Sequence, residues 1–211
     1  MAESTASIDD LVGWLRRSAE LLQQEASHLT ELDAAIGDAD HGANMSRGFT
    51  AVTEALDAES FDTVDALMKK VGMTMVSKVG GASGPLYGTF FLRFGTSQPG
   101  ATELDATALA AAVEAGIGGI AQRGKSERGE KTMLDAWYPA LEALQAADGL
   151  AAGVHAAAEA AAEGRDATEP MTATKGRASY LGERSVGHID PGSASTALIW
   201  QAADETLGGA A

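Results

Sequence analysis

The chain contains no cysteine. Disulfide staples, thiolate metal sites and a cysteine nucleophile are therefore excluded, and a reducing cytoplasm is the simplest compartment. Positive charge is scarce: 15 Lys and Arg stand against 30 Asp and Glu, a formal net charge of -15. A nucleic-acid or anionic-membrane surface calls for a basic stripe, so neither partner is expected. No apolar run reaches the roughly 18 residues of a membrane span, and acids rather than bases precede the first apolar segment, unlike a secretory signal. The expectation is a soluble, unanchored cytoplasmic protein. Alternating strand-like runs are also scarce.

What the chain does have is alanine and helical periodicity. Ser7 is placed to cap a first helix whose apolar positions Ile8, Leu11, Val12, Leu15, Ala19 and Leu22 recur at helical spacing, extending to about Leu29. Further helices are predicted near 43–57, 63–79, 84–96, 105–122, 132–147, 149–164 and 193–207, eight in all. This pattern predicts an all-α bundle or closed helical barrel. A chain of 211 residues can hide about 70 to 75% of its unfolded surface in one core, so a single domain over 1–211 is expected. The Ala/Gly-rich stretches at 106–121 and 150–164 fit closely packed helices rather than disorder.

The segment from Leu32 to Met45 concentrates the chemistry, with three aspartates, a histidine and two glycines. Ionised carboxylates about 4 Å apart repel by roughly 4 kcal/mol at an effective dielectric near 20, so Asp33, Asp38 and Asp40 can converge only with cations between them. All-oxygen ligands favour magnesium, calcium or manganese over zinc. Magnesium is usually shared between one or two carboxylates and a ligand's phosphates, which points to phosphate chemistry. An ordinary Gly-Asp turn or N-cap is the competing explanation. An EF-hand loop starting at Asp38 fails, because its twelfth position is Phe49 instead of a bidentate Glu. No cysteine or nearby second histidine supports His41 as a transition-metal ligand.

Three further loops are candidates. Gly80 to Pro85 (GGASGP) could let backbone N–H groups approach an anion at the start of the next helix, or could be only a tight connection. Arg123 to Met133 holds four of the 15 basic residues, and is otherwise a solvated charged loop. Lys175 to Arg184 and Gly187 to Gly192 offer arginines for phosphate and an Asp190-Pro-Gly helix start, while His188 reads better as a satisfied polar side chain.

Taken together, IGDADHGANM, GGASGPLYGTFF, RGKSERGEKTMLDAW and KGRASYLGERSVGHIDPGSAS at these separations resemble the nucleotide-binding L subunit of dihydroxyacetone kinase, in particular the bacterial phosphotransferase-linked type. The resemblance runs through essentially the whole chain. It implies an eight-helix antiparallel barrel, all-α, whose loops at one end hold ADP or ATP and two magnesium ions. By the same resemblance Asp33, Asp38 and Asp40 hold the metals. His41, Gly42, Ala43, Asn44, Ala82, Ser83, Arg123, Gly124, Thr132, Met133, Arg177, Asp190, Pro191 and Gly192 surround the nucleotide.

The resemblance further implies half of an enzyme. Dihydroxyacetone would be held covalently on a histidine of a separate K subunit, and the ADP retained here would be rephosphorylated by an M subunit fed from phosphoenolpyruvate. An ATP-dependent kinase subunit with exchanging nucleotide is one alternative. A non-catalytic nucleotide-sensing module that binds a regulator is another. A different short ketose as substrate and a homodimeric state are both left open.

Overall fold

The computed structural model describes residues 4–208. Its main elements are α1 (Ile8–Gln24), α2 (Ala26–Ile36), α3 (His41–Ala58), α4 (Val64–Lys78), α5 (Ser83–Thr96), α6 (Ala106–Gly124), α7 (Leu134–Ala146), α8 (Leu150–Ala167) and α9 (Pro191–Leu207). A 3-10 segment covers Arg177–Ser185, and strands β1 (Ala6–Ser7) and β2 (Glu103–Leu104) form a single antiparallel pair. The all-α expectation holds.

Caps set several starts. The Ser7 hydroxyl accepts from Asp10 N while the Asp10 carboxylate accepts from Ser7 N at 2.8 Å, a reciprocal capping box. The side chains of Thr63, Asp105 and Asp190 accept from Ala66 N, Ala108 N and Ser193 N, capping α4, α6 and α9. Along α1 the buried positions are Leu11, Trp14, Leu15, Ser18, Leu21 and Leu22, one continuous stripe.

One boundary differs from the sequence reading. The first helix stops at Gln24 rather than running to about Leu29, because Glu25 leaves helical geometry and α2 sets off separately. Buried Leu29, Asp33 and Ile36 keep a helical spacing across this break without Gly or Pro, so periodicity alone does not show it. The 3-10 segment was likewise outside the eight predicted helices.

Eight helices close into a ring in which α1, α3, α4, α5, α6, α7, α8 and α9 each pack on the next, and α9 returns to α1. Short connections make most neighbours antiparallel, while α1 reaches α3 through α2 and α8 reaches α9 through residues 168–190. The centre is solid. Phe90 stacks on Trp137 at 4.2 Å between ring centroids, Trp137 meets Trp200 edge-on at 5.7 Å, and Phe90 meets Phe91 edge-on at 5.2 Å. Each fully buried phenylalanine contributes roughly 2 to 3 kcal/mol of apolar burial. Outside the ring, α2 lies against α3, α9 and the 3-10 segment at one end. No helix among the described residues is long and apolar enough to cross a membrane.

Because neighbours alternate in direction, α3, α5, α7 and α9 all begin at the same end as one another, where His41, Ser83, Met133 and Pro191 line one cleft. Four positive helix-dipole ends thus converge where α2 delivers Asp33.

Candidate magnesium and nucleotide cleft

The cleft is open to solvent and has a cavity volume of about 180 Å³. All four sequence segments singled out for their chemistry meet in its wall, which includes Asp33, Asp40, Ser83, Thr132, Arg177 and Asp190.

Asp33 occupies the last turn of α2 and is 7% exposed. Its Oδ2 accepts from Asp40 N at 2.8 Å and from His41 N at 3.1 Å, folding the connection back over the carboxylate. Ala39 makes the reversal in left-handed geometry, φ 59°. Any side chain at Gly37 would collide with Asp33 Oδ1, so glycine is required beside this ligand position. Asp40 occupies the N-cap of α3 but makes no side-chain cap, leaving its carboxylate free. One oxygen from each of Asp33, Asp38 and Asp40 falls within 4.8 Å of the others. A buried, an exposed and a half-buried carboxylate in that space form an all-oxygen donor set suited to a hard divalent cation. Arg177 Nη2 lies 3.0 Å from Asp38 Oδ2 at the rim.

The N-cap residues of α3, α5 and α7 make no side-chain cap, although the first amide of α3 donates to Asp33 and that of α7 to Thr132 Oγ1. Uncapped first-turn N–H groups and the helix dipole together favour an anion. The approach of α5 is tight, since a Cβ at Gly84 would collide with the backbone carbonyl of Val79. This brings the Ser83 hydroxyl to the cleft.

Behind Ser83 runs a buried polar relay. His41 Nδ1 is 3.1 Å from Ser83 Oγ, His41 Nε2 is 2.9 Å from Ser195 Oγ, and Ser195 Oγ is 2.8 Å from the Tyr87 hydroxyl. Tyr87 continues to Thr196 at 3.0 Å and donates to Gly192 O at 3.2 Å. Burial pushes the His41 imidazole down to about 4 and the Tyr87 phenol up, so both stay uncharged at neutral pH. Desolvation at the foot of the cleft raises the Asp190 carboxyl to about 7, even though it accepts from Ser193 N. Neutral His41 thereby ties the starts of α3 and α5 to α9.

Of the nucleotide positions expected from sequence, His41, Ala82, Ser83, Thr132, Met133, Arg177, Asp190, Pro191 and Gly192 line the cleft. Gly42, Ala43, Asn44, Arg123 and Gly124 do not. Gly42 packs directly on the Ala26 carbonyl, and Ala43 is exposed. The Asn44 carboxamide accepts from Arg47 Nη2 and abuts Gly80. Arg123 and Gly124 are exposed in the last turn of α6, Gly124 beside the cleft residue Leu86.

Sequence reasoning missed Tyr87 and Ser195, whose roles exist only through contacts across the barrel. It also missed Asp135 and Lys131. The buried Asp135 carboxylate accepts from Gly129 N and Thr132 N, shaping the 123–133 loop. Lys131 is buried within a loop whose charge pattern suggests solvation.

The DAK2 domain family model matches residues 35–205. The chain is 48% identical, over 92% of its length and 93% of the relative's, to PEP-dependent dihydroxyacetone kinase 1, ADP-binding subunit DhaL, of Listeria innocua. It is 44% identical to the PEP-dependent dihydroxyacetone kinase ADP-binding subunit DhaL of Escherichia coli, over 90% of this chain and 93% of that one. The solved dihydroxyacetone kinase of C. freundii superposes with a TM-score of 0.74 at 26% identity over 97% of this chain. The present chain spans about a third of that structure's length, 36%.

Proposed function

From the premise that the chain belongs to the DAK2 domain family, we propose that the whole of it acts as one nucleotide-binding L domain, the ADP-binding subunit of a multi-subunit, phosphoenolpyruvate-dependent dihydroxyacetone kinase. The observation that carries this reading is the convergence, in one cleft, of three carboxylates with the uncapped starts of α3 and α5. Relatives alike over nine-tenths of both chains and named as ADP-binding subunits support it.

Asp33, Asp38 and Asp40 would hold magnesium, two ions in this reading. When bound, magnesium neutralises charge on the phosphates and on the equatorial oxygens of the transferring group. The chain's own residues do the positioning. Ser83 and the first amides of α5 would face the phosphates, Arg177 closes the rim beside Asp38, and Met133 and Leu86 offer apolar surface. Both nitrogens of His41 are engaged, by Ser83 and Ser195, so it is not free to take a proton from a substrate hydroxyl. That fits a division of labour in which dihydroxyacetone is held and activated on a K subunit, while an M subunit of the phosphotransferase system recharges the bound nucleotide.

In this reading ADP is a cofactor, and its dissociation is slow compared with turnover. Protein preloaded with labelled ADP and supplied with K and M subunits, the general phosphotransferase proteins and phosphoenolpyruvate should retain its label over several cycles of product formation. Rapid loss of label, with turnover sustained only by added ATP, would establish the ATP-dependent alternative.

A further inference from the structure

The Lys131 side chain is 1% exposed, yet no carboxylate pairs with it among the described residues. Its ammonium instead donates to main-chain carbonyls: Thr168 O at 2.8 Å, Glu169 O at 3.3 Å, Met171 O at 3.1 Å and Ser185 O at 2.8 Å. Thr168 is the C-cap of α8 and Glu169 follows it, where the helix dipole favours a cation. Ser185 ends the 3-10 segment. The carbonyls therefore bracket residues 172–184, the part of the chain that brings Lys175, Gly176, Arg177 and Ala178 to the cleft wall.

Beyond the Arg177–Asp38 ion pair and the packing of the 3-10 segment on α2, few bonds secure that segment. Ala173 N donates to Ser185 Oγ at 2.9 Å, Thr174 N to Glu130 O at 3.3 Å and Gly187 N to Glu169 O at 2.8 Å. Its apolar footing is a small cluster of Ile36, Ala173 and Ala178, separate from the main core.

We propose that Lys131, itself part of the cleft wall, is a positioning residue whose ammonium staples the two ends of the 172–184 loop together, holding Arg177 against Asp38 and thereby slowing nucleotide release. The nucleotide part of this inference rests on the function proposed above. The loop part does not. Lysine suits the task because an ammonium is a compact point donor, whereas the planar arginine fork cannot address carbonyls gathered around one point. Methionine could fill the volume but would leave buried carbonyls unpaired.

The backbone at Lys131 provides a clean test. Its φ of 62° is one that glycine adopts without strain. Lys131→Gly therefore deletes the staple without a backbone penalty at that position, and leaves a channel the shape of n-butylammonium. In the full-length protein, hydrogen exchange at the amides of Ala173, Thr174 and Gly187 should accelerate in Lys131→Gly and in the volume-matched Lys131→Met. ADP dissociation should rise by about tenfold or more, the scale of losing hydrogen bonds from a charged donor. Added n-butylammonium should restore both properties in Lys131→Gly, and n-butanol should restore neither.

Unchanged protection and ADP release in Lys131→Met, or equal rescue by n-butanol, would overturn the proposal. If both variants fail to fold, the unaltered protein decides: these three amides should be strongly protected, and exchange at open-loop rates would overturn the staple. Loop protection that depends on Lys131 in a chain that binds no ADP would uphold the staple and refute the nucleotide reading instead.

Discussion

Asp38→Ala should remove magnesium and nucleotide from the cleft together while the helical barrel stays folded. The expectation follows from how differently the three aspartates are anchored. Asp33 accepts from two backbone amides of the α2–α3 connection, so its loss would disturb the loop as well as any metal. Asp38 sits in the exposed part of that connection, and its ion pair is with Arg177, itself 65% exposed. An exposed pair of this kind contributes about 0 to 1 kcal/mol, too little to endanger the fold. Removing one of three direct metal ligands is a different matter. Even outer-shell partners of metal ligands change affinity by about 10 to 100-fold, so a direct ligand should account for about 100-fold or more.

Magnesium and ADP should fall in parallel, because each neutralises or orients the other. Metal analysis and ADP titration check this, and unchanged magnesium in the variant would remove Asp38 from the site. Apparent stability will also drop when ligand is lost, since saturation at 100 times the dissociation constant contributes about 2.7 kcal/mol. A variant that stays unfolded with saturating nucleotide would return the segment to the role of a structural turn.

The purified chain given ATP, magnesium and dihydroxyacetone should form no dihydroxyacetone phosphate, and a cognate K subunit should restore transfer from the ATP-loaded form. The cleft supports this division because its one histidine is occupied on both ring nitrogens and is held neutral by burial. The Tyr87 phenol is likewise enclosed in the relay rather than presented to a substrate. Product formation, followed by a coupled assay with and without the K subunit, separates the readings. Efficient turnover by the chain alone would contradict a two-subunit reaction. Nucleotide binding without transfer, even with the K subunit present, would favour the sensing module.

Much of this organisation is visible in the sequence. Capping residues such as Ser7 and Asp190, and the apolar stripe of α1, announce helices directly. The aspartate cluster is legible because carboxylates at such short separation have an electrostatic cost that demands an explanation. The break at Glu25 is not legible, since Leu29, Asp33 and Ile36 keep a helical spacing while the backbone changes course. Ser195 looks like any small residue in a helix, and becomes the partner of His41 only when α9 closes the ring against α3. Lys131 is harder still. It lies among other cations in a loop, and only the folded positions of Thr168, Met171 and Ser185 reveal that it is buried among carbonyls.

The nucleotide and metal content of freshly purified, undialysed protein tests the central claim most directly, by mass analysis of released small molecules alongside elemental analysis. The account predicts about one ADP per chain accompanied by magnesium, with both absent from the Asp38→Ala protein. Folded protein that carries neither, and takes up neither when incubated with ADP and magnesium, would contradict it.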